Sequence, residues 1–265
     1  MSTVVDFRSS NLNGVDDAFR DKVSVPRYGE VAWDSKGRGF SHRYTEAIDN
    51  FELVPAATVA AGTSKLTIMT GTGTEVIARA VKGGIRLTTQ ASTPADTNDC
   101  MLAGVATTGH DVLLNDNSMP WFHTAVSLPA IATVIAAAGL SVEPDSVRPA
   151  DNTADGATFL ADPANDAATG LTAAQLLNWV CVQTVASVET YTATTIPLTV
   201  DALVDFRIQF NSERKPLFYI NGDLVATGVA ATTGGSWHSY VGIETTAASQ
   251  ASLDVGFIAV SRAIY

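Results

Sequence analysis

Apolar and polar side chains alternate most clearly in the stretch that begins at Val204. From Val204 to Phe210 every second residue is apolar and the residues between are polar, which is the period of a half-buried β-strand. The apolar run Leu217–Ile220 follows, then Asn221-Gly222, and then the apolar run Leu224–Ala226. Asn-Gly between two apolar runs is a strong hairpin signal, because a type I′ turn needs positive φ at both central residues. The pattern predicts a meander of three antiparallel strands.

Short strands of the same kind are predicted on both sides of this meander. They lie at residues 66–69, 75–80, 84–90, 101–106, 121–128, 132–138, 157–160, 178–184, 187–192, 237–245 and 252–261. One short helix is predicted at 171–177, with Thr172 as its N-cap. So many short strands with so little helix predict two packed antiparallel sheets of about six strands each.

The strand predicted at 252–261 is apolar on both faces. Simple alternation places residues 253, 255, 257 and 259 on one face and residues 258 and 260 on the other. A strand with two apolar faces is expected in the centre of a sheet rather than at its edge.

Charge density divides the chain near Phe51. The first 50 residues hold 15 charged side chains, whereas the remaining 215 hold 28. We therefore predict an extended N-terminal arm at 1–50 and a β-sandwich domain at 51–265. The arm shows no sustained periodicity but contains aromatic residues spread through its length, and such residues serve as anchors where an arm docks on another protein. A strap lying on its own domain is the alternative. The predicted partner contacts are Phe19, Arg27, Tyr28, Trp33, Phe40 and Tyr44.

The composition of the chain limits the classes of partner that we expect it to bind. The net charge of −11 gives no electrostatic reason to bind nucleic acid or an anionic membrane surface. The longest apolar run, Ile131–Leu140, is too short to span a bilayer, and the first residues do not resemble a signal peptide. Synthesis in the cytoplasm without export by the usual route is expected. The two cysteines, Cys100 and Cys181, sit in apolar surroundings and are expected to be buried free thiols.

Four motifs follow one another along the chain: GGIRLTT at 83–89, WFHTAVSL at 121–128, FYINGDLV at 218–225, and LDVGFIAVS at 253–261. In that order they resemble the concanavalin A-like lectin/glucanase sandwich as it occurs in bacteriophage virion proteins. The resemblance covers about 53–265. It implies an all-β fold, a two-sheet antiparallel jelly-roll-like (concanavalin A-like) sandwich with the N-terminal arm outside it.

The resemblance also implies a function. Such domains decorate or cement phage heads, so we expect a capsid decoration protein on the capsid surface, with the major capsid protein or another virion protein as its partner. A homo-oligomer, first of all a trimer, is expected. The alternative is a glycan-binding host-adsorption module of a tail or head fibre. Its carbohydrate contacts would be Trp121, Trp237, His238 and Tyr240, although such rings also fill sandwich cores.

Enzyme motifs are missing from the sequence. The glucanase branch of this fold uses carboxylates in a Glu-x-Asp-x-x-Glu pattern, and no Asp or Glu after residue 51 fits it. Asp201 and Asp205 are four apart but fit a solvated strand face. The four histidines form no HxH or HExxH motif, and no Gly-x-Ser-x-Gly elbow occurs. We therefore predict a protein that is not an enzyme and has no cofactor or metal.

Overall fold

The computed structural model describes residues 44–49, 67–70, 76–80, 84–90, 100–104, 111–114, 120–144, 146–149, 154–165, 169–232 and 236–263. The chain divides into two compact units, 1–45 with 263–265, and 46–262. The predicted arm contacts Phe19, Arg27, Tyr28, Trp33 and Phe40 lie outside the described residues, so the arm stays a prediction. Tyr44 is the first residue of a strand that the prediction had included in the arm.

The described part of the chain contains sixteen strands and one short helix. They are β1 Tyr44–Asp49, β2 Thr67–Thr70, β3 Val76–Arg79, β4 Ile85–Thr88, β5 Cys100–Ala103, β6 Asp111–Leu113, β7 Trp121–Ser127, β8 Val134–Ser141, β9 Gly156–Ala161, α1 Ala173–Leu176, β10 Asn178–Val185, β11 Val188–Pro197, β12 Val204–Phe210, β13 Pro216–Ile220, β14 Asp223–Thr227, β15 Ser236–Thr245 and β16 Ser252–Ala263.

The strands form two antiparallel sheets of eight. Sheet A has the order β14-β13-β12-β7-β16-β4-β3, with β1 also paired to β16. Sheet B has the order β11-β10-β9-β8-β15-β5-β2, with β6 also paired to β15. The predicted all-β, two-sheet sandwich is confirmed. β1 and β6 were not predicted, because neither shows a clear alternation of apolar and polar residues.

Local signals predicted from sequence reappear in the structure. Asn221 and Gly222 have φ of 53° and 93°, as the I′ turn of the β13–β14 hairpin requires. Thr172 caps α1: its side chain accepts a hydrogen bond from the Gln175 backbone, and the Gln175 side chain accepts one from the Thr172 backbone. Both cysteines are free and buried, as predicted.

An aromatic cluster joins the two sheets. Phe159 of β9 stacks on Phe206 of β12 with ring centroids 4.3 Å apart and an interplanar angle of 11°. Trp179 of β10 meets Phe206 edge-on at 4.6 Å, and Phe218 of β13 meets Phe159 edge-on at 5.4 Å. All four side chains are almost fully buried. Stacked and edge-to-face contacts add to the free energy of burying the rings.

The last strand is central but does not alternate as predicted. β16 lies between β7 and β4, which confirms its position. A β-bulge interrupts its register with β7 between Val255 and Phe257. Because a bulge inserts one residue, it reverses which face the later residues occupy. Leu253 and Val255 before the bulge, and Ile258 and Val260 after it, all lie in the inter-sheet core. The prediction of one unbroken alternation was wrong.

A second apolar cluster lies on the outer face of sheet B. Leu160 and Tyr240 belong to it, and Val147 and Leu176 pack against the sheet from the loop and the helix above. Gly242 leaves the room for this cover, since a Cβ there would stand 2.7 Å from the Val147 side chain. The outer face of sheet B is therefore an additional core layer.

An ion pair fixes the loop on this layer. Arg148 donates from Nε and from an Nη to the two carboxylate oxygens of Glu244, at 2.7 and 2.5 Å. The Glu244 side chain is fully buried. A buried carboxylate needs such a partner, because an uncompensated charge at that depth is strongly destabilising.

We expect Phe206→Ala to lower the free energy of unfolding by about 3–5 kcal/mol, because it removes both the stacking partner of Phe159 and the edge contact of Trp179. Urea titration followed by tryptophan fluorescence measures the change. Leu224→Ala, at a side chain that is 54% exposed, is the control and should change it little. Equal effects of the two substitutions would show that the cluster is not the main inter-sheet contact.

Candidate functional site

The four residues predicted as sugar contacts lie mostly in packed surroundings. Trp237 is in the inter-sheet core, edge-on to Phe210 at 5.1 Å. Tyr240 lies in the layer on sheet B and hydrogen-bonds Thr158 through its hydroxyl at 2.8 Å. Trp121, Trp237 and Tyr240 are each at most 2% exposed, and His238 is half-buried. Trp237 and Tyr240 thus fill core positions, whereas Trp121 lies beside His123 on β7, with ring centroids 6.4 Å apart.

A different group of side chains converges on the outer face of sheet A. In the register, Arg207 of β12 lies directly opposite His123 of β7 on one side and Tyr219 of β13 on the other. Side chains directly opposite each other in antiparallel strands share a face, and so do residues two apart on one strand. Asp205, Arg207, His123 and Tyr219 therefore lie together, and we call them the polar face.

His123 and Asp205 form the centre of the polar face. The imidazole Nε2 stands 2.9 and 2.8 Å from the two carboxylate oxygens of Asp205. His123 is only 5% exposed, and its Nδ1 is buried without a hydrogen-bond partner. Because Asp205 accepts from Nε2–H, the neutral tautomer leaves a lone pair rather than an N–H at Nδ1. The ring of Phe257 packs edge-on against the imidazole at 4.9 Å.

Arg207 and Tyr219 form the other half of the polar face. The guanidinium carbon of Arg207 lies 4.3 Å from the centroid of the Tyr219 ring. This is a cation–π contact, and it holds a planar fork of hydrogen-bond donors against an aromatic surface. Both side chains are half-buried. A carboxylate, a guanidinium and an aromatic ring in one place can hydrogen-bond hydroxyl groups and stack on an apolar sugar face.

Sheet A also carries an ion pair, between Arg86 and Asp254, and this pair has a structural role. Arg86 of β4 donates to both carboxylate oxygens of Asp254 on β16, at 2.6 and 2.8 Å. This hydrogen bond, opposed by partial burial, raises the pKa of Arg86 above its ordinary value. Because both oxygens of Asp254 are engaged by Arg86, the pair ties β4 to β16.

The described ranges contain neither a metal site nor a membrane-spanning helix. No group of three or more His, Cys, Asp and Glu side chains is placed there to hold a metal ion. Nor does any helix among those residues have the length and apolar character needed to cross a membrane.

No protein-family model matches the chain, and no curated protein matches it. Solved structures do match. A Shewanella oneidensis protein of unknown function, SO2946, has a TM-score of 0.58 at 10% identity, over 91% of this chain and 95% of that one. Peanut lectin has a TM-score of 0.53 at 12% identity, over 84% and 99%. The catalytic domain of an endo-1,3-β-glucanase (laminarinase) from Thermotoga petrophila has 0.53 at 8%, over 82% and 97%.

These neighbours and the two-sheet topology define the fold as the concanavalin A-like lectin/glucanase sandwich. They also correct the prediction that the protein is not an enzyme. The laminarinase domain has this architecture, so the fold includes enzymes and the missing Glu-x-Asp-x-x-Glu pattern does not exclude activity. At 8–12% identity the likeness establishes the fold and leaves the activity of this chain open.

Sequence reasoning missed the polar face. Asp205 and Arg207 are visible in the sequence as the polar side of β12, and Asp205 was predicted to lie on a solvated strand face. His123 and Tyr219 sit 82 and 14 residues from Asp205 along the chain, and only the register of three strands brings them together. A polar triplet on a strand whose other side is strongly apolar was the available signal.

We expect Asp205→Ala to lower the free energy of unfolding by about 1–3 kcal/mol, because the buried imidazole of His123 loses its hydrogen-bond acceptor. Asp205→Asn should retain part of the stability, since the amide oxygen still accepts. Urea unfolding measures both, with the exposed Asp223→Ala as the control. If Asp205→Ala and Asp223→Ala are equally mild, the His123–Asp205 bond contributes nothing to folding.

We expect Tyr240 to make the free energy of unfolding depend on pH in the alkaline range. Burial raises the pKa of its phenol, and the hydrogen bond with Thr158 opposes this only in part. The folded protein thus holds the proton more tightly than the unfolded chain, whose tyrosines titrate near pH 10. This tighter binding of the Tyr240 proton contributes fully to the free energy of unfolding below about pH 10, and the contribution is lost as the pH rises beyond that value. Between pH 9 and 11, Tyr240→Phe should lose less stability than the unsubstituted protein. Parallel losses in urea titrations would contradict this.

Proposed function

We propose that the protein binds carbohydrate on the polar face of sheet A. The observation that carries the proposal is the packing of the Arg207 guanidinium on the Tyr219 ring, next in register to the His123–Asp205 pair. Sugars present vicinal hydroxyls and flat apolar patches. The guanidinium and carboxylate suit the hydroxyls, and an aromatic ring suits the patches.

The fold supports this proposal. Peanut lectin and the Thermotoga petrophila laminarinase have the same sandwich, and their names connect them with carbohydrate. The polar face also lies on central strands, since β12 and β7 are flanked by β13 and β16. Side chains on central strands are held rigidly, which limits the entropy lost when a ligand binds.

Glycan-array binding tests the proposal with the full chain. Tyr219→Ala should weaken binding to a retained glycan at least about tenfold, because both the ring and the support of Arg207 are lost. Tyr219→Phe keeps the ring and should bind nearly as well. Val188→Ser, an exposed change on β11 of sheet B and away from the polar face, is the matched control. Release of reducing sugar from each bound glycan should be followed in parallel.

If no glycan binds, or if Tyr219→Ala and Val188→Ser behave alike, the polar face is not a carbohydrate site. If reducing sugar is released, and if substitution within the polar face stops the release, the protein is an enzyme rather than only a carbohydrate-binding module.

We further propose that the sandwich is a component of a phage particle, attached through residues 1–50. One observation bears on the end of the predicted arm: β1, at residues 44–49, pairs with β16 of sheet A. The aromatic residues of the arm, Tyr28 and Trp33 among them, would bury against a neighbouring virion protein. The two proposals are compatible, since an attached glycan-binding sandwich is a host-adsorption module.

Substitution in the full chain tests the attachment. Tyr28→Ala combined with Trp33→Ala should reduce co-sedimentation with phage particles at least about tenfold, because each buried anchor contributes about 2 kcal/mol or more. The unfolding midpoint should stay unchanged. Val188→Ala, at a 66% exposed side chain of β11, is the control. Full occupancy of particles by the double variant would rule out attachment through these residues.

A further inference from the structure

A cavity opens on one side of the sandwich, where the outermost strands of the two sheets face each other. Its volume is about 80 Å³. β11 and β10 of sheet B form one wall, and β13, β14 and the residues just after β14 form the other. None of its lining side chains belongs to the polar face. We call it the seam cavity.

Small side chains create the seam cavity. Thr192 lies opposite Cys181 on β11 and β10, and Ala226 lies opposite Phe218 on β14 and β13. Phe218 is the only large side chain in this set. Protein interiors are normally filled to the density of organic crystals, so three small side chains at facing positions leave a void that the ring does not fill.

The one long side chain of the wall is held away from the void. Gln183 donates from Nε2 to the carbonyl of Val229 at 2.8 Å, and its Oε1 accepts from the Val229 N–H at 2.7 Å. Gly228 allows this approach, since a Cβ there would stand 2.1 Å from Gln183 Oε1 and 2.7 Å from the ring of Pro216. Both ends of the amide are hydrogen-bonded to Val229, so the wall is fixed before any ligand arrives.

The remaining lining is uncharged and has one polar and one apolar end. The hydroxyls of Thr190, Thr192 and Thr227 make no hydrogen bond to any side chain or backbone group of the described residues. Phe218 and Cys181 form the buried end. Burial raises the pKa of the Cys181 thiol well above its ordinary range, so it stays a neutral, weakly polar group.

We propose that the seam cavity binds a small uncharged amide group, of the kind that an acetamido substituent or free acetamide presents. One enclosed water needs about 15 Å³ of cavity volume. The seam cavity, with about 80 Å³, therefore holds about five atoms of the size of a water molecule, and acetamide has four non-hydrogen atoms. The methyl group packs against Phe218 and Cys181. The amide oxygen and nitrogen meet the threonine hydroxyls, which both donate and accept.

The lining also predicts what is excluded. The three threonines are exposed and the lining holds no cationic side chain, so a carboxylate there would give up part of its hydration without meeting an opposite charge. Acetate has nearly the shape of acetamide and differs mainly in charge, so it is the matched negative probe. A ligand of four non-hydrogen atoms is expected to bind with a dissociation constant in the millimolar range.

The test is a titration of the ¹⁵N-labelled full chain with acetamide and, separately, with acetate. Acetamide should shift the amide signals of Thr192, Gly228 and Val229 along a saturable curve, and acetate should not. Thr192→Val removes one hydroxyl at nearly constant shape and should weaken acetamide binding about fivefold, the equivalent of one hydrogen bond. Thr195→Val, also exposed on β11 but outside the cavity lining, should leave it unchanged.

Ala226→Leu provides a second, independent variant. The larger side chain fills the cavity from β14, so it should abolish the saturable shifts while the unfolding temperature is maintained or raised. Equal binding of acetate and acetamide, shifts that do not saturate, or binding that survives Ala226→Leu would each overturn the proposal. None of these outcomes bears on the polar face, whose ligands contact other residues.

Discussion

The stacking of Phe159 on Phe206 is the contact on which the rest of the structure depends. It joins sheet B to sheet A through their large buried rings, and Trp179 and Phe218 complete it from either side. β12 alternates strictly, so the burial of Phe206 in this cluster directs Asp205 and Arg207 to the opposite face. The same packing that holds the sheets together therefore positions the polar face.

The two outer faces of the sandwich have become different surfaces. On sheet B, the loop at 146–149 and α1 cover the strands with a second apolar layer, and the Arg148–Glu244 ion pair holds the loop in place. On sheet A, the central strands carry charged and aromatic side chains. Gly242 on sheet B contributes to this difference, because a Cβ there would stand 2.7 Å from the Val147 side chain that covers the sheet. This asymmetry is why the carbohydrate proposal concerns sheet A.

Much of the fold was predictable because its signals are local. The alternation of β12, the Asn221-Gly222 turn and the Thr172 cap each depend on neighbours in sequence, and each appears in the structure. The bulge in β16 was not predictable, since it is defined by the register with β7.

The candidate site was less predictable, because it also depends on how strands distant in sequence pair and pack. Rings such as Trp121 and Trp237 look alike in sequence whether they face solvent or the core, and only the packing of the sheets decides. The enzyme question shows a related limit. A missing motif excludes one arrangement of carboxylates, whereas a fold shared with a laminarinase domain permits others.

The strand order has a consequence for biosynthesis. β15 separates β8 from β5 in sheet B, and β16 separates β7 from β4 in sheet A. Both central strands are translated after all the strands that they join. Neither sheet can close while the ribosome is still producing residues 236–263, so the earlier strands wait with unpaired edges. Such long-range pairing slows folding and exposes edges to aggregation. The edges of β8, β5, β7 and β4 that β15 and β16 cover therefore stay open until the end of the chain has been translated.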